Sequence, residues 1–369
     1  MTDSKLNSQE NMKSVIQRIA TGPELSKNIS REEAKKSMSD ILNGEIDSVQ
    51  SAIFLIALRM KRETMDENLG VHDAIIDTTK TMKINVDNLI NISDPYDGFS
   101  RNIPSSIFML PVLAELGYPI YSHGVESVGP KYGCTHNLTL QELGYNPTNS
   151  LDEISSRLTN KKIGWAYADQ SVFNPKLYNL MELRKKIIKR PVITTVEVLV
   201  KPISSYNDIF FTGFVHKPYP PIYLELSRNA GFASANIIRG TEGGIIPSLR
   251  QMAKIHFYNL ASKENLEIEI VPKDIGIDDE TRAVDIPNEI ERKKTLDKIE
   301  TKVNSKDIAK VASKLGYDAL SGIDGAMKSC IILGASLIYH RVSGESVDKC
   351  ATEVRKVLDS GSALQRIKK

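Results

Sequence analysis

Cysteine is scarce in this chain, long apolar runs are missing, and net charge is close to zero. Each lack closes off a class of function. Cys134, Cys330 and Cys350 are odd in number, far apart and without metal-ligand spacing. That argues against a disulfide framework and makes buried thiols the expectation. No apolar run approaches the ~20 residues that span a bilayer. The polar opening M-T-D-S-K-L-N-S-Q-E-N lacks a signal-peptide core, which points to the cytoplasm. A net charge of +2 gives no global pull toward nucleic acid or membrane, so any such role must rest on a local patch. There is no internal repeat and no low-complexity tract. What remains, 41% hydrophobic and 25% charged residues over 369 positions, is an ordinary globular composition with room for two domains.

The first ~12 residues read as frayed or disordered. Three capping signatures follow in a helical stretch: Ser30 with Glu33, Asp47 with Gln50 (looser, because the cap is aspartate), and Thr64 with Glu67. Ile53, Ile56 and Leu58 recur with helical spacing, so residues 13–83 are expected to form a small helical subdomain, joined by a helix over 175–189. From residue 84 to 369, short β-rich runs alternate with helices, which predicts a larger α/β domain with a mostly parallel central sheet. Strands are expected at 89–93, 118–122, 163–168, 192–200, 209–215, 235–238 and 266–271. The charged segment 274–306 reads as a surface excursion, and helices close the chain, with Gly361 as a stop.

The stretch N-I-S-D-P-Y-D-G-F-S-R-N, residues 91–102, lies between an apolar strand and a helix. Such junctions hold phosphate through free backbone amides and the helix dipole. A phosphate loop normally uses several glycines, and here there is only Gly98. Two readings stand: a rebuilt anion site, or a plain turn made by the D-P and D-G dipeptides.

Several segments together resemble the anthranilate phosphoribosyltransferase and pyrimidine-nucleoside phosphorylase family, glycosyltransferase family 3. They are residues 29–64, Y-S-H-G-V, G-W-A-Y-A, N-P-K-L-Y-N-L-M-E-L-R, R-G-T-E-G and V-L-D-S-G-S-A-L. The resemblance implies a donor, phosphoribosyl pyrophosphate with magnesium, on the α/β domain and an aromatic or heterocyclic acceptor in the cleft. It also implies a homodimer formed through the helical subdomain.

Where the family carries G-T-G-G-D-G, only Asp97 and Gly98 match; Asp94 adds a negative charge, which Arg101 and Asn102 could offset. Of the family's K-H-G-N-R, His123 and Gly124 remain, with Lys131 as a replacement cation. Asn174 and Arg184 match the acceptor side, Arg184 by pairing with an acceptor carboxylate; the other reading is that Arg184 begins a solvated basic face. The third loop contributes Arg239, Gly240 and Glu242, but the family's paired magnesium ligands read Ile245 and Ile246, which offer no oxygen. No catalytic residue and no metal ligand are assigned. The leading expectation is a pentosyltransferase-like protein with a rebuilt sugar-phosphate site. One rival is a non-catalytic nucleic-acid-binding paralogue, resting on residues 184–190, on Arg59, Lys61 and Arg62, on the tail Q-R-I-K-K, and on Tyr96 and Tyr132 for stacking; the other is a scaffold dimer with a degenerate pocket.

Overall fold

The computed structural model describes residues 3–22, 24–259, 262–296 and 301–368. Four helices open it: α1 (Asp3–Ile19), α2 (Arg31–Leu42), α3 (Ser48–Lys61) and α4 (Met65–Thr78). The expectation of a frayed start is corrected, because α1 already runs from Asp3 and buries Met12, Val15 and Ile19 along one face. The Ser30–Glu33 and Thr64–Glu67 boxes close reciprocally. Asp47 caps the amides of Val49 and Gln50 alone. Along α3, Val49, Ile53 and Met60 stay 66%, 37% and 74% exposed, with Ile56 half-buried between them. That is an apolar stripe facing outward.

The described residues form a seven-stranded sheet from β1 (Asn88–Ser93), β2 (Ile120–Gly124), β3 (Trp165–Asp169), β4 (Asn207–Gly213), β5 (Ser234–Ile238), β6 (Ala253–Asn259) and β7 (Ser262–Ile270). Their spatial order is β3-β2-β1-β4-β5-β6-β7, parallel through β5 and antiparallel at β6 and β7. Side chains alternate between the two faces. Leu89, Tyr121, Ala166 and Phe210 share a core with α1 to α4, whereas Ile90, Ile120, Trp165 and Phe211 pack against the closing helices. The winding direction reverses between β1 and β4, and in open α/β sheets the crevice at the strand carboxyl ends there is the usual ligand position.

Three expectations fail for physical reasons. Residues 192–200 form no strand: Val192, Ile193, Val196 and Val200 are buried at helical spacing around a turn, Ile193–Val196, so burial overrides β-propensity. The helix over 175–189 is broken into Pro175–Tyr178 and Met181–Ile187, and Ile188 ends it at φ +67°. The segment 274–306 is charged but not merely superficial, because Ile275, Ile277, Val284, Ile286 and Ile290 enter the core. Residues 297–300 of it lie outside those described. All three cysteines are buried and free, and Gly361 stops its helix in the left-handed conformation, both as expected. No helix among the described residues is long and apolar enough to cross a membrane.

The closing helix Ser305–Leu320 packs closely over Phe108, because Gly316 lies against the ring where a Cβ would overlap it. Phe108 is fully buried and has nowhere to go. Overpacking of this kind costs about 1–3 kcal/mol, and alanine's better helix propensity returns only ~1 kcal/mol. Gly316→Ala is therefore expected to lower the midpoint of thermal unfolding; a raised midpoint would show that the ring yields.

Candidate functional site

Strand β1 delivers the chain to Asp94 at the crevice, and this carboxylate turns inward. It is 5% exposed and accepts the Ile245 amide at 2.9 Å, His136 Nε2 at 3.0 Å and the Ser106 hydroxyl. Burial pushes its pKa up, but the bonds from His136, Ser106 and the Ile245 amide outweigh burial and hold it below the usual carboxylate range. His136 is fixed in turn by Ser122 Oγ, 2.6 Å from Nδ1. The negative charge expected to face a diphosphate is thus spent on joining the first and third loops.

Glu242 does the same from the other side. It stands at φ +52°, in the left-handed region, and its carboxylate reaches back to three successive amides of the first loop. These are Ser100 at 3.2 Å, Arg101 at 2.9 Å and Asn102 at 3.0 Å. Successive amides converging on one acceptor make an anion-binding nest. Here the anion comes from the chain itself. Lys131 Nζ lies 3.9 Å from Glu242 and 3.3 Å from Asp97, and Asp97 also pairs with Arg190 at 2.5 Å. The second loop is clamped onto the first: Gly133 N donates to Asp97 O at 2.9 Å, and a Cβ on Gly98 would come within 2.6 Å of the Gly133 carbonyl carbon.

Of the expected sugar-phosphate residues, the structure brings together Asp97, Gly98, Lys131 and the backbone of Arg101 and Asn102, with Glu242. The side chains of Arg101 and Arg239 are exposed. Gly240 is packed against the Gly244 carbonyl. His123 and Gly124 end β2, and His123 is 2% exposed. Its Nδ1 meets the Tyr96 hydroxyl, while Nε2 is buried with no partner among the described residues. The cavity beside it, lined by Asp94, Tyr96, His123, Thr135, His136 and Tyr167, measures about 10 Å³. That is the space of roughly one water.

The acceptor-side residues are engaged within the chain. Arg184 is 3% exposed and faces no cleft; its guanidinium grips Glu197 through two bonds of 2.6 and 2.7 Å. Breaking a buried pair by removing one partner leaves an uncompensated charge, so this contact is not available to a ligand carboxylate without a replacement for Glu197. Asn174 holds the end of α4 through Ile75 O at 3.1 Å and the hydroxyls of Thr78 and Thr79, each at 3.0 Å. It also caps Leu177 N at 3.1 Å. Glu197 was missed in the sequence, although a lone acid in V-I-T-T-V-E-V-L-V is itself a signal of a buried partner.

The basic patch is largely spent as well. Lys61 pairs with Glu67 at 2.8 Å with its side chain 4% exposed, and Arg59 binds Tyr219 and Thr195 at 3.0 and 3.2 Å. Tyr96 is 4% exposed and cannot stack on a base. Lys185, Lys186 and Lys189 remain open to solvent. Magnesium does not fit the third loop. Ile245 and Ile246, 1% and 6% exposed, belong to the hydrophobic core. Among the described residues no group of three or more His, Cys, Asp or Glu is placed to hold a metal.

A helical bundle seated on one face of a switch-point sheet, with three loops converging at the strand ends, defines a two-part α/β protein. Comparison with known proteins narrows the class. Residues 13–79 match the helical bundle domain of the glycosyl transferase family. The chain is 30% identical over 254 residues to an uncharacterized protein of Aquifex aeolicus, covering 68% of this chain and 73% of that one. It is 24% identical over 361 residues to the anthranilate phosphoribosyltransferase of Methanosphaera stadtmanae, covering 93% and 94%. In fold it is similar to anthranilate phosphoribosyltransferase from Thermus thermophilus, with a TM-score of 0.71 at 17% identity over 97% of both chains. The Saccharomyces cerevisiae enzyme in complex with PRPP and Mg gives 0.74 at 14% identity, over 98% of this chain and 96% of that one. The chain belongs to the anthranilate phosphoribosyltransferase-like family, glycosyltransferase family 3.

Two histidines give the fold a pH signature. Burial, joined by the charge of His136, lowers His123 to about 3, and burial lowers His72 to about 4, each from an ordinary value near 6.5. Both are neutral when folded, and the unfolded chain binds more protons below pH ~6.5, so stability is full above that pH and falls as pH drops toward 4. Urea unfolding at pH 7.5 and pH 5 is expected to show this loss, and His123→Gln, which keeps a bond to Tyr96 without the titration, is expected to shrink it. A pH-independent midpoint in the parent chain would contradict the assignment.

Proposed function

We propose that this chain is a pentosyltransferase-family protein whose sugar-phosphate site has been rebuilt around its own carboxylates, so that magnesium-dependent handling of phosphoribosyl pyrophosphate is not its chemistry. The supporting observation is the Glu242 carboxylate seated on the amides of residues 100–102. A diphosphate arriving there meets Glu242 without a bridging dication. Two like charges 4 Å apart repel by about 1 kcal/mol in water and about 4 kcal/mol near a protein surface. Lys131 and Arg190 are already engaged with Asp97, so neither cation is free to offset the repulsion in full.

The ligand class in keeping with this reading is a sugar phosphate at the loop surface formed by Asp97, Gly98, Arg101, Asn102 and Lys131, beside an aromatic or heterocyclic partner; His123 and Gly124, packed behind it, would support the loop rather than touch the ligand. Neutral partners fit better than aromatic carboxylates, because Glu197 already neutralises Arg184. Calorimetry with phosphoribosyl pyrophosphate, with and without magnesium, is expected to give weak binding that the metal tightens little. Tight binding that depends on magnesium would overturn this reading.

We also propose that a second copy of the chain covers the stripe of Val49, Ile53, Ile56 and Met60 on α3. Large apolar side chains left at 66% and 74% exposure on a four-three-four spacing form a face that association would bury. Sedimentation velocity at micromolar concentration is expected to give a dimer, and Ile53→Asp with Met60→Asp a monomer. A parent chain that sediments only as monomer would remove this proposal.

A further inference from the structure

We infer that residues 188–190 form a strap with two settings, held shut by Arg190 on Asp97 and released when that ion pair breaks. The strap runs from the helix Met181–Ile187, whose Leu183 and Ile187 pack against the core shared with α1 to α4, to the buried turn Ile193–Val196. Between those anchors Ile188, Lys189 and Arg190 are all exposed. Ile188 stands at φ +67° and ψ −31°, and the Lys189 amide closes on the Ile187 carbonyl at 2.7 Å. This is close to the γ-turn of positive φ, a rare and strained form. Its centre is a β-branched residue, for which positive φ is an outlier. Burial does not impose it, because the Ile188 side chain is 69% exposed. The far end is fixed through Arg190, whose guanidinium lies 2.5 Å from Asp97 and whose carbonyl accepts Arg59 Nε at 3.4 Å.

Strain of this kind persists only while surrounding contacts maintain it, and here the contact is easily given up. The Arg190 side chain is 46% exposed, so water takes over the guanidinium when it leaves. Asp97 is 5% exposed, but it keeps Lys131 Nζ at 3.3 Å and is not left as a buried charge without a cation. Ile188 has no burial to lose and returns to negative φ. Loss of the ion pair and relief of the turn thus offset each other, which leaves the two settings close in free energy. Arg190 spans from the helical layer to the first loop, so the shut strap ties the two together and the open one leaves Asp97 to Lys131. The strap needs no bound ligand and stands apart from the ligand reading above.

The test is a double-mutant cycle on the full chain, read as the midpoint of thermal unfolding, with Ile188→Gly, Arg190→Ala and both together. In the parent the strap is shut, and glycine takes positive φ without strain, so Ile188→Gly is expected to raise the midpoint by about 1–3 °C. With Arg190→Ala the strap is open and Ile188 holds no strain. Glycine then adds only freedom to the unfolded chain, and the same change is expected to lower the midpoint by about 1 °C. The reversal of sign reports the coupling between the two positions. An equal rise in both backgrounds overturns the inference, because the turn would then stay shut without Arg190. A fall in the parent overturns it too, since no strain would be stored at Ile188. A crystal structure of Arg190→Ala is expected to show Ile188 at negative φ, and a turn still at positive φ counts against the strap. Should Arg190→Ala not fold, Arg190→Gln drops the charge, keeps much of the side chain's length and carries the same tests.

Discussion

Backbone amides exposed at the carboxyl ends of parallel strands need an acceptor, and in this protein the chain supplies it. Asp94 and Glu242 come from different loops and cross. Asp94, after β1, accepts the amide of Ile245 in the third loop, while Glu242 in the third loop accepts amides of residues 100–102 in the first. Each carboxylate is nearly buried, and a buried carboxylate persists only where its lone pairs are filled. The exchange fills them and locks the loops face to face. The narrowness of the crevice, with a cavity of about 10 Å³ on either side of Asp94, follows from that lock.

The pairing of Arg184 with Glu197 applies the same rule one layer deeper. A bidentate buried pair contributes little net stability compared with apolar residues of equal volume, yet losing one partner costs about 3–5 kcal/mol. The two residues are therefore bound to change together or not at all. Arg184 matches the family's acceptor contact in sequence position while its charge is already satisfied.

The fold was legible where local chemistry and burial agree. The capping boxes at Ser30 and Thr64, six of the seven expected strands and the stop at Gly361 needed only propensity and pattern. The run 192–200 failed because β-branched residues buried on all sides lose their preference to packing. Strand β6 was missed although A-K-I-H-F alternates as a half-buried strand should, since its charged positions disguised it. At the site, residue types were readable and their directions were not. Asp94, Glu242 and Arg184 all appear in the sequence as charges near a ligand. Whether a carboxylate faces a ligand or a neighbouring loop depends on a crossing that closes only in three dimensions.

That crossing gives the lost metal ligands a physical sense. In the family resemblance, positions 245 and 246 are acids that hold a cation, which in turn holds the donor's anion. Here both are isoleucines packed in the core, and the carboxylate has moved three positions back to Glu242. In this chain the loop's carboxylate, Glu242, accepts the backbone amides directly. The two changes favour each other. Without the dication, an acid at 245 or 246 would be buried and unpaired, and isoleucine removes that cost; without the donor's anion, the amides of 100–102 would lack an acceptor, and Glu242 supplies one. Acids at 245 and 246 would bury two charges in the packed core of this chain, a cost that isoleucine avoids.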